Sequence, residues 1–395
     1  MRHRLRPPLV TPTGPAEAVA DEIRRHGPLP LERVLDLALY APSGGFYEAG
    51  GRAGGRQGDF LTSPEVGGLF GAVVARALDS WWRAMGSPDP FVVVEAGAGP
   101  GTLCRTVLAA APACAPALRY VLVERSASQR RLHAENVRLE DPALAFAPVD
   151  PDTESPVGGS PSGPICVSTT ELPRLAGSAV VLANELLDNL PFRLAERGDG
   201  TWWEVRVDLD PAGDAGGGGH LVERLVPLDP VRSETLDRLS PGAVAGARVP
   251  LQESARAWLR EALAIAGPGG RVVVVDYTST SADLAARPQH EWLRTYRAHA
   301  RGGPLLAGLG AQDVTCEVAV DQLALVRPPT SNCSQADWLR SHGIDDLVAA
   351  ARATWAERAH IGDLAALTAR SRVTEADALV DPSGLGAFGV LEWSG

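Results

Sequence analysis

The sequence contains no lysine, and all 37 of its basic residues are arginines. A Walker-type phosphate loop needs a lysine that reaches the phosphates, and a pyridoxal phosphate enzyme needs one for its Schiff base. Both classes of enzyme are therefore excluded. The 48 acidic residues outnumber the arginines and give a net charge of -11. Because such a chain repels a phosphate backbone, no nucleic-acid partner is expected.

Cysteine is scarce and follows no recognisable pattern. The five cysteines are odd in number and lie far apart, without CxxC or histidine-paired spacing, so no disulfide framework and no metal site are expected. The chain also lacks an apolar run of about 18 residues, and its start lacks the apolar segment of a secretory signal. These absences predict a cytoplasmic protein without membrane contact.

The order of the apolar segments predicts an α/β protein. Between residues 16 and 40, apolar residues at helical spacing are interrupted at Gly27-Pro28, which indicates two short helices. From residue 91 onward, short β-branched runs alternate with helical segments, as in a parallel sheet that helices cover on both faces. The predicted fold class is therefore a doubly wound, Rossmann-like α/β fold. Its first five strands are predicted in FVVVEAG, RYVLVE, PICVST, AVVLANE and RVVVVDY.

Two further runs, VTCEVAV and AFGVLEW, are predicted as the sixth and seventh strands. The long stretch between them permits the last strand to insert antiparallel. We divide the chain into an N-terminal helical arm, residues 1–90, and an α/β domain, residues 91–395. TWWEVRVDLD and HLVERLVPLD alternate like the arms of a β-hairpin, so an insertion is expected at approximately 196–250. A C-terminal helical part is expected at approximately 330–380.

The segment VVVEAGAGPGTL, residues 92–103, carries the strongest local signal. A predicted strand runs into Gly97, Gly99 and Gly101, and a helix follows. Glycines at such a turn let the backbone approach a ligand and present its N–H groups. Glu124 ends the next strand, 23 residues after Gly101, where a carboxylate can accept from both hydroxyls of a ribose. We therefore expect a cofactor that contains adenosine.

This arrangement alone leaves NAD and S-adenosylmethionine open. The dinucleotide pattern G-x-G-x-x-G would place its third glycine at Thr102, but Gly101 comes one residue early. S-adenosylmethionine carries a sulfonium cation, and Glu95 at the lip of the turn suits a cation better than a diphosphate. The residues therefore favour S-adenosylmethionine, and a glycine-rich turn that binds nothing is the competing explanation.

Several longer blocks are more specific than the glycines, and they occur in the order GDFLTSPEVGGLFG, EAGAGPGTL, ANELLDNLPF, TWWEV, LRTYRAH with AQDVT, and DPSGLGAFGVL. In this order they resemble the MidA family of S-adenosylmethionine-dependent methyltransferases, which includes a mitochondrial complex I assembly factor that symmetrically dimethylates arginine. The resemblance implies a seven-stranded sheet of order 3-2-1-4-5-7-6 and S-adenosylmethionine as cofactor. It also implies an arginine in a protein, such as a respiratory complex I subunit, as the methyl acceptor.

The block ANELLDNLPF places Asn184, Glu185 and Asp188 at the carboxyl end of a central strand, where ligands of open α/β sheets bind. Glu185 and Asp188 are three residues apart and would share a helical face, and paired carboxylates suit a guanidinium. Arginine stays protonated, so carboxylates that hold it and accept its proton address the chemical obstacle to methylation. We therefore predict these three as catalytic residues. A turn or capping role for Asn184 and Asp188 is the alternative.

The resemblance also assigns Asp59, Thr62 and Ser63 to cofactor binding, on an arm that closes over the cofactor. From the residues themselves, Ser63 is expected to cap a helix that begins at Pro64. His133 has no patterned partner and is predicted to lie on the surface.

Three positions depart from the family pattern. Ala96 stands where leucine is common, Thr278 stands where glycine is common, and Pro100 removes one N–H from the glycine turn. We expect cofactor binding to survive these changes, whereas a drifted substrate specificity fits them.

Four functions therefore stay open on the sequence, and an NAD-dependent oxidoreductase is the weakest of them. The first is an arginine N-methyltransferase that acts on a protein, and the second is a methyltransferase for a small molecule. The third is a catalytically silent assembly protein that retains the fold.

Overall fold

The computed structural model describes residues 14–50, 62–145, 162–175, 177–210, 220–297 and 300–395. Its α-helices are α1 Pro15–His26, α2 Leu31–Tyr40, α3 Ser63–Val66, α4 Gly68–Ala84, α5 Thr102–Ala109, α6 Ala127–Asn136, α7 Pro142–Ala145, α8 Pro230–Leu239, α9 Glu253–Ala266, α10 Ser281–Ala286, α11 Gln289–Trp292, α12 Val320–Ala324, α13 Gln335–Ser341, α14 Ile344–Arg358 and α15 Leu364–Leu379.

Its strands are β1 Leu29–Pro30, β2 Phe91–Ala96, β3 Leu118–Val123, β4 Ile165–Thr169, β5 Ala179–Asn184, β6 Arg193–Arg197, β7 Trp202–Leu209, β8 Leu221–Pro227, β9 Arg248–Leu251, β10 Arg271–Asp276, β11 Thr278–Ser279, β12 Leu293–Arg297, β13 Ala300–Arg301, β14 Asp313–Cys316, β15 Val318–Ala319, β16 Ser331–Ser334 and β17 Gly389–Ser394.

Seven strands form the central sheet in the order β16-β17-β10-β5-β2-β3-β4. The five strands from β10 to β4 run parallel, and β17 runs antiparallel to both of its neighbours. In chain order this is the 3-2-1-4-5-7-6 arrangement, so the predicted fold class and the antiparallel closing strand are confirmed.

The predicted sixth strand is wrong. VTCEVAV lies outside the central sheet, where β14 pairs with β12 and β15 pairs with β11. Its apolar residues Val314 and Cys316 instead pack in a cluster with the N-terminal arm. The edge position belongs to β16, which is the polar segment SNCS. An edge strand pairs on one side only and needs no apolar run, so this segment carries no sequence signal.

Alternate residues of the central strands enter opposite layers of the core. Val93 packs on the face covered by α4, α5 and the C-terminal helices, whereas Val94 packs on the face covered by α9. Val180 and Val181 of β5 divide in the same way. Full burial of such a side chain stabilises the fold by roughly 1.5–3 kcal/mol. Because helices cover both faces of the sheet, these strands have continuous apolar sequences.

A second sheet, here called the side sheet, has the order β1-β7-β6-β9, and β8 pairs with β7. β7 and β8 are antiparallel, as their alternating sequence predicts. β1 belongs to the N-terminal arm, and Val34 of α2 packs in the same cluster as Val205 of β7. The arm is therefore joined to the side sheet by backbone pairing and by a shared apolar core.

The arm continues into two helices separated by Gly67. Ser63 is the first residue of α3 and makes no capping hydrogen bond, because its buried hydroxyl donates to Oε1 of Gln335 at 2.8 Å. The predicted capping role of Ser63 is therefore wrong.

The start of α4 is held by Glu375 of α15, whose Oε2 accepts from the Leu69 amide at 2.8 Å. A Cβ on Gly67 would lie 2.2 Å from Cδ of Glu375. The C-terminal helical part is thus fixed against the arm and the core. None of the helices in the described ranges is both long and apolar enough to span a bilayer.

Candidate active site

The glycine turn joins β2 to α5 in a left-handed backbone conformation. Gly97, Gly99 and Gly101 have φ values of 68°, 51° and 86°, which favour glycine because it has no Cβ. A Cβ on Gly97 would lie 2.8 Å from Leu186 Cδ1, and one on Gly101 would lie 3.0 Å from Leu122 Cδ2. A Cβ on Gly99 would meet no atom within 4 Å, so the turn leaves open space at this position.

A cleft of about 220 Å³ lies against this turn. Gly97 and Gly99 line it, whereas Gly101 does not. The lining comprises Tyr40, Tyr47, Ala96, Gly97, Gly99, Val123, Glu124, Arg125, Gln129, Thr170, Glu171, Leu172, Glu185, Leu186, Asn189, Leu190 and Trp258. We call it the cofactor cleft.

Glu124 lies in the cofactor cleft at the end of β3. Its Oε2 accepts from the Gly99 amide at 3.0 Å, and its Oε1 accepts from the Ser126 amide at 2.8 Å. Burial raises the pKa of this carboxyl, and the two amides act in the opposite direction. Each oxygen keeps a further lone pair, so the carboxylate can still accept from ligand hydroxyls. The open cradle at Gly99 and this acceptor together fit an adenosine group.

Glu95 lies beneath the turn instead of at its lip. Its Oε2 accepts from the Tyr120 hydroxyl at 2.7 Å, and burial raises its pKa to about 8. Because side chains alternate along a strand, residue 95 shares the face of Val93, which packs beneath α4 and α5. The expectation that Glu95 faces a ligand cation is therefore corrected: this residue supports the junction between β2 and α5.

His133 and Asn136 of α6 hold the outer side of the turn. His133 is fully buried, with Nε2 at 2.8 Å from the Gly99 carbonyl and Nδ1 at 2.8 Å from Ser168 Oγ. The Asn136 side-chain amide donates to the Pro100 carbonyl at 2.8 Å. The predicted surface position of His133 is wrong. The sequence signal for this contact was the three-residue spacing of His133 and Asn136, which places both on one face of the helix after β3.

Two tyrosines of the arm also line the cofactor cleft. The rings of Tyr40 and Tyr47 are stacked at 5.5 Å, and the Arg125 guanidinium lies 4.4 Å from the Tyr40 ring centroid. The Tyr47 hydroxyl donates to Asp313 Oδ1 at 3.0 Å. Sequence reasoning missed both tyrosines because no local motif links them to a turn about 50 residues further along the chain.

Glu185 stands between β5 and the cofactor cleft with φ of 51°. A non-glycine residue in this region is strained, and such strain is concentrated at functional sites. Its Oε1 accepts from the Asn184 side-chain amide at 3.2 Å and from the Ser63 amide at 3.4 Å. Its Oε2 has no hydrogen-bond partner in the described ranges. Burial, followed by the charge of Asp276, raises the pKa of Glu185 to about 8.

Asp188 lies one turn further on, in a short 3-10 helix, and is 1% exposed. Within the described residues, the Asn189 amide makes a weak contact with the Asp188 carboxylate. Neither oxygen of this carboxylate has a well-formed hydrogen bond. Burial and the charges of Asp276 and Glu185 raise its pKa well above the ordinary value.

Asp276 completes a group of buried acids at this edge of the sheet. Its Oδ2 accepts from the amides of Leu187 and Asp188 at 2.9 and 3.3 Å, and burial raises its pKa to about 7. Asp276 is therefore satisfied by backbone donors, whereas Glu185 and Asp188 keep free acceptor oxygens. Together these two carboxylates can accept several N–H bonds from a cation.

Thr62 and Ser63, which were predicted to bind the cofactor, do not line the cofactor cleft. Thr62 and Ser63 are buried, and the Ser63 amide points to Glu185. Asp59, which was predicted to bind the cofactor, lies outside the described residues. Glu65 accepts from the Thr102 hydroxyl at 2.7 Å, so the arm also contacts the first residue of α5.

The doubly wound sheet, the open glycine turn and the buried acids define a methyltransferase of the Rossmann-like class. The chain belongs to the MidA family of S-adenosylmethionine-dependent methyltransferases, since residues 73–336 match the family model described as S-adenosyl-L-methionine-dependent methyltransferase. The enzyme class and the cofactor predicted from the sequence are confirmed, and NAD is set aside.

Two relatives that are named protein arginine methyltransferases are similar to this chain. The chain is 28% identical over 312 residues to the mitochondrial protein arginine methyltransferase NDUFAF7 homolog of Drosophila melanogaster, which covers 77% of this chain and 67% of that protein. The match to the Rattus norvegicus protein arginine methyltransferase NDUFAF7 is 31% identical but spans 48% of this chain and 44% of the relative. The chain thus spans less than half of that mammalian relative.

A solved structure shows the same architecture with a product-like ligand. It is a COG1565 superfamily member from Burkholderia thailandensis bound to S-adenosyl-homocysteine. The TM-score is 0.76 at 26% identity, and the alignment covers 96% of this chain and 92% of the other. S-adenosyl-homocysteine is the demethylated form of the cofactor, so this likeness supports the cofactor assignment directly.

Proposed function

We propose that this methyltransferase transfers a methyl group to the guanidinium of an arginine residue in a protein. One observation carries the proposal: Glu185 borders the cofactor cleft, and it and Asp188 are buried carboxylates with free acceptor oxygens. A buried carboxylate without a partner is costly, and a guanidinium supplies a rigid fork of donors that would satisfy two of them. The names of the Drosophila and rat relatives support the same acceptor.

Each residue then has a definite role. S-adenosylmethionine supplies the methyl group from its sulfonium centre. Glu185 and Asp188 hold the guanidinium, and Glu185 accepts the proton released as a nitrogen–hydrogen bond is replaced by a nitrogen–carbon bond. Asn184 donates to Glu185 and fixes its orientation. Well-oriented reactants can lower a barrier by about 7–11 kcal/mol in general, and holding the guanidinium beside the cofactor is a contribution of this kind.

The raised pKa of Glu185 gives the activity a pH dependence. With a pKa of about 8, Glu185 is neutral in the free protein below that pH and ionises above it. The ionised form binds the guanidinium, so kcat/KM for the acceptor is expected to rise with pH through about 8, because kcat/KM reports the free enzyme. Glu185→Gln is expected to remove this rising limb.

The experiment is a transfer assay with S-adenosylmethionine carrying a tritiated methyl group and host lysate as acceptor. Acid hydrolysis of the labelled protein should release methylated arginine, and Glu185→Gln and Asp188→Asn should each lower the rate at least a hundredfold, about the contribution of a positioned proton acceptor. Glu223→Gln, which alters a surface carboxylate paired with Arg248, serves as the control. Label that appears in a small molecule, with none on arginine, would contradict the proposal in favour of the small-molecule alternative.

The MidA resemblance adds two finer parts to the proposal, symmetric dimethylation and a respiratory complex I subunit as the acceptor. Chromatography that separates symmetric from asymmetric dimethylarginine tests the first part. Identification of the labelled protein by mass spectrometry tests the second.

We also propose that the enzyme works in the cytoplasm. All five cysteines are free thiols, and the Sγ atoms of Cys104 and Cys166 lie 3.9 Å apart without a bond between them. Thiols that persist at this distance suit a reducing compartment. Cell fractionation tests the location, and recovery of the protein in another compartment would contradict it.

A further inference from the structure

A second cleft, with a volume of about 400 Å³, opens at the junction of β10 and β17. It is lined by Tyr277 and Thr278, by Arg294 and Glu317, and by residues 383–385 and 387–388 of the loop before β17. It shares no lining residue with the cofactor cleft. We call it the acceptor cleft for the reasons that follow.

The acceptor cleft lies next to the buried acids. Tyr277 lines this cleft and directly follows Asp276 in the chain. The Glu185 amide donates to the Val275 carbonyl at 2.8 Å, and Oδ2 of Asp276 accepts from the Asp188 amide at 3.3 Å, so the end of β10 contacts both acidic residues. Glu185 also lines the cofactor cleft, so the segment that carries the acids adjoins that cleft as well as the end of β10.

The walls of the acceptor cleft already accommodate one guanidinium. Arg294 lies 5.9 Å from the Tyr277 ring centroid and donates to Glu317 Oε1 at 3.1 Å. The Tyr277 ring packs against Phe388 with centroids 4.1 Å apart. Aromatic faces attract guanidinium groups. Glu317 is paired with Arg294 and with Arg287, so it is already engaged by two guanidinium groups.

One departure from the family pattern also falls here. Thr278, where glycine is common, lines the acceptor cleft, and its Oγ1 would lie 2.2 Å from a Cβ placed on Gly389. The threonine side chain therefore fills space that a glycine would leave open. This substitution narrows the acceptor cleft and leaves the cofactor cleft unchanged.

We propose that an arginine side chain of the protein acceptor enters through this cleft, passes along the Tyr277 ring and reaches Glu185 and Asp188 opposite the cofactor. The inference rests on the proposed arginine methyltransferase function. An in-line displacement requires the acceptor nitrogen to approach the methyl carbon from the side opposite the sulfonium sulfur. The exposed loop around Ala387 contacts the acceptor backbone.

Ala387 offers a sharp test, because it is exposed and lines the acceptor cleft. Ala387→Trp fills the cleft and is expected to lower kcat/KM for host-lysate protein about tenfold or more, because the indole occupies space that the acceptor side chain needs. Ala387→Arg repels the incoming guanidinium and Ala387→Glu attracts it, so kcat/KM should change in opposite directions, each by about threefold, as one charge near the surface allows. Ala365→Trp, Ala365→Arg and Ala365→Glu alter an exposed alanine of α15 on a different groove and serve as matched controls.

Two further readouts separate the possible failures. The affinity for S-adenosyl-homocysteine, measured by calorimetry, should be unchanged in all six variants. N-acetylarginine amide should inhibit methyl transfer by Ala387→Trp less strongly than it inhibits transfer by the wild type. Wild-type protein that labels no arginine would overturn the proposed function. Arginine labelling that continues with the same kcat/KM in Ala387→Trp and Ala387→Arg would overturn the acceptor cleft alone.

Discussion

At the scale of single residues, the glycine turn is held in place by hydrogen bonds from both sides. Glu124 accepts from the Gly99 amide, and His133 contacts the Gly99 carbonyl. A carbonyl can only accept, so His133 donates from Nε2, and burial lowers its pKa and keeps it neutral. The shape of the cofactor cleft therefore depends on a histidine that is not among the residues lining the cleft.

We expect His133→Ala to weaken binding of S-adenosyl-homocysteine about tenfold, because the loss of a buried hydrogen bond is worth roughly 1.4 kcal/mol. The binding can be measured by calorimetry, with thermal melting to confirm that the variant is folded. His360→Ala, at an exposed position, is the control and should bind as the wild type does. Equal affinities for the two variants would mean that His133 does not shape the turn.

Residue-level prediction agrees with the structure where the residues lie in one short segment. Gly97, Gly99 and Glu124 line the cofactor cleft, as the succession of a strand, a turn and a helix indicated, and their contact with the cofactor stays a prediction. Glu95 was misplaced because its role depends on which face of β2 packs beneath α5. The orientation of the Ser63 hydroxyl depends on its hydrogen bond to Gln335. Gln335 lies 272 residues away in the sequence, so local sequence patterns cannot predict this contact.

At the scale of elements, α15 is coupled to α4 through one carboxylate. Glu375 accepts from the Leu69 amide at the start of α4 and from the Ser371 hydroxyl of its own helix. The close approach needs Gly67, where a Cβ would collide with Glu375. The C-terminal helices therefore hold the segment that carries Ser63 against the acids.

Glu375→Ala leaves the buried Leu69 amide without its acceptor, so we expect it to lower the free energy of unfolding by about 1–3 kcal/mol. Denaturant unfolding followed by circular dichroism measures the change. Asp377→Ala, at an exposed position of the same helix, should change the stability by less than about 0.5 kcal/mol. If both variants unfold alike, α15 does not hold α4 in this way.

Element prediction was most reliable where burial on both faces produces a continuous apolar run. The five parallel strands were found in this way. β16 was missed because it is a polar edge strand, and VTCEVAV was misassigned because its burial comes from the arm. β1 was missed as well, since its two residues gain their partner only when the arm meets β7.

At the scale of the whole molecule, the site is assembled from segments that are distant in the sequence. The arm contributes Tyr40 and Tyr47, the core contributes the turn and the acids, and the C-terminal loop contributes Phe388. The residues of the cofactor cleft lie largely at the ends of consecutive strands, so their position could be predicted. The acceptor cleft depends on tertiary packing of the last loop, and for this part of the site the sequence offered only the family resemblance.

The central claim is that an S-adenosyl group binds against Gly99 in the cofactor cleft, and titration calorimetry with S-adenosyl-homocysteine tests it most directly. Gly99→Arg places a long side chain in the open cleft, whereas Gly246→Arg adds the same side chain at an exposed glycine with φ of 84° and open space around it. We expect the wild type and Gly246→Arg to bind with equal affinity and Gly99→Arg to show no binding. Binding of equal strength to all three proteins, or no binding to the wild type at millimolar ligand, would contradict the account.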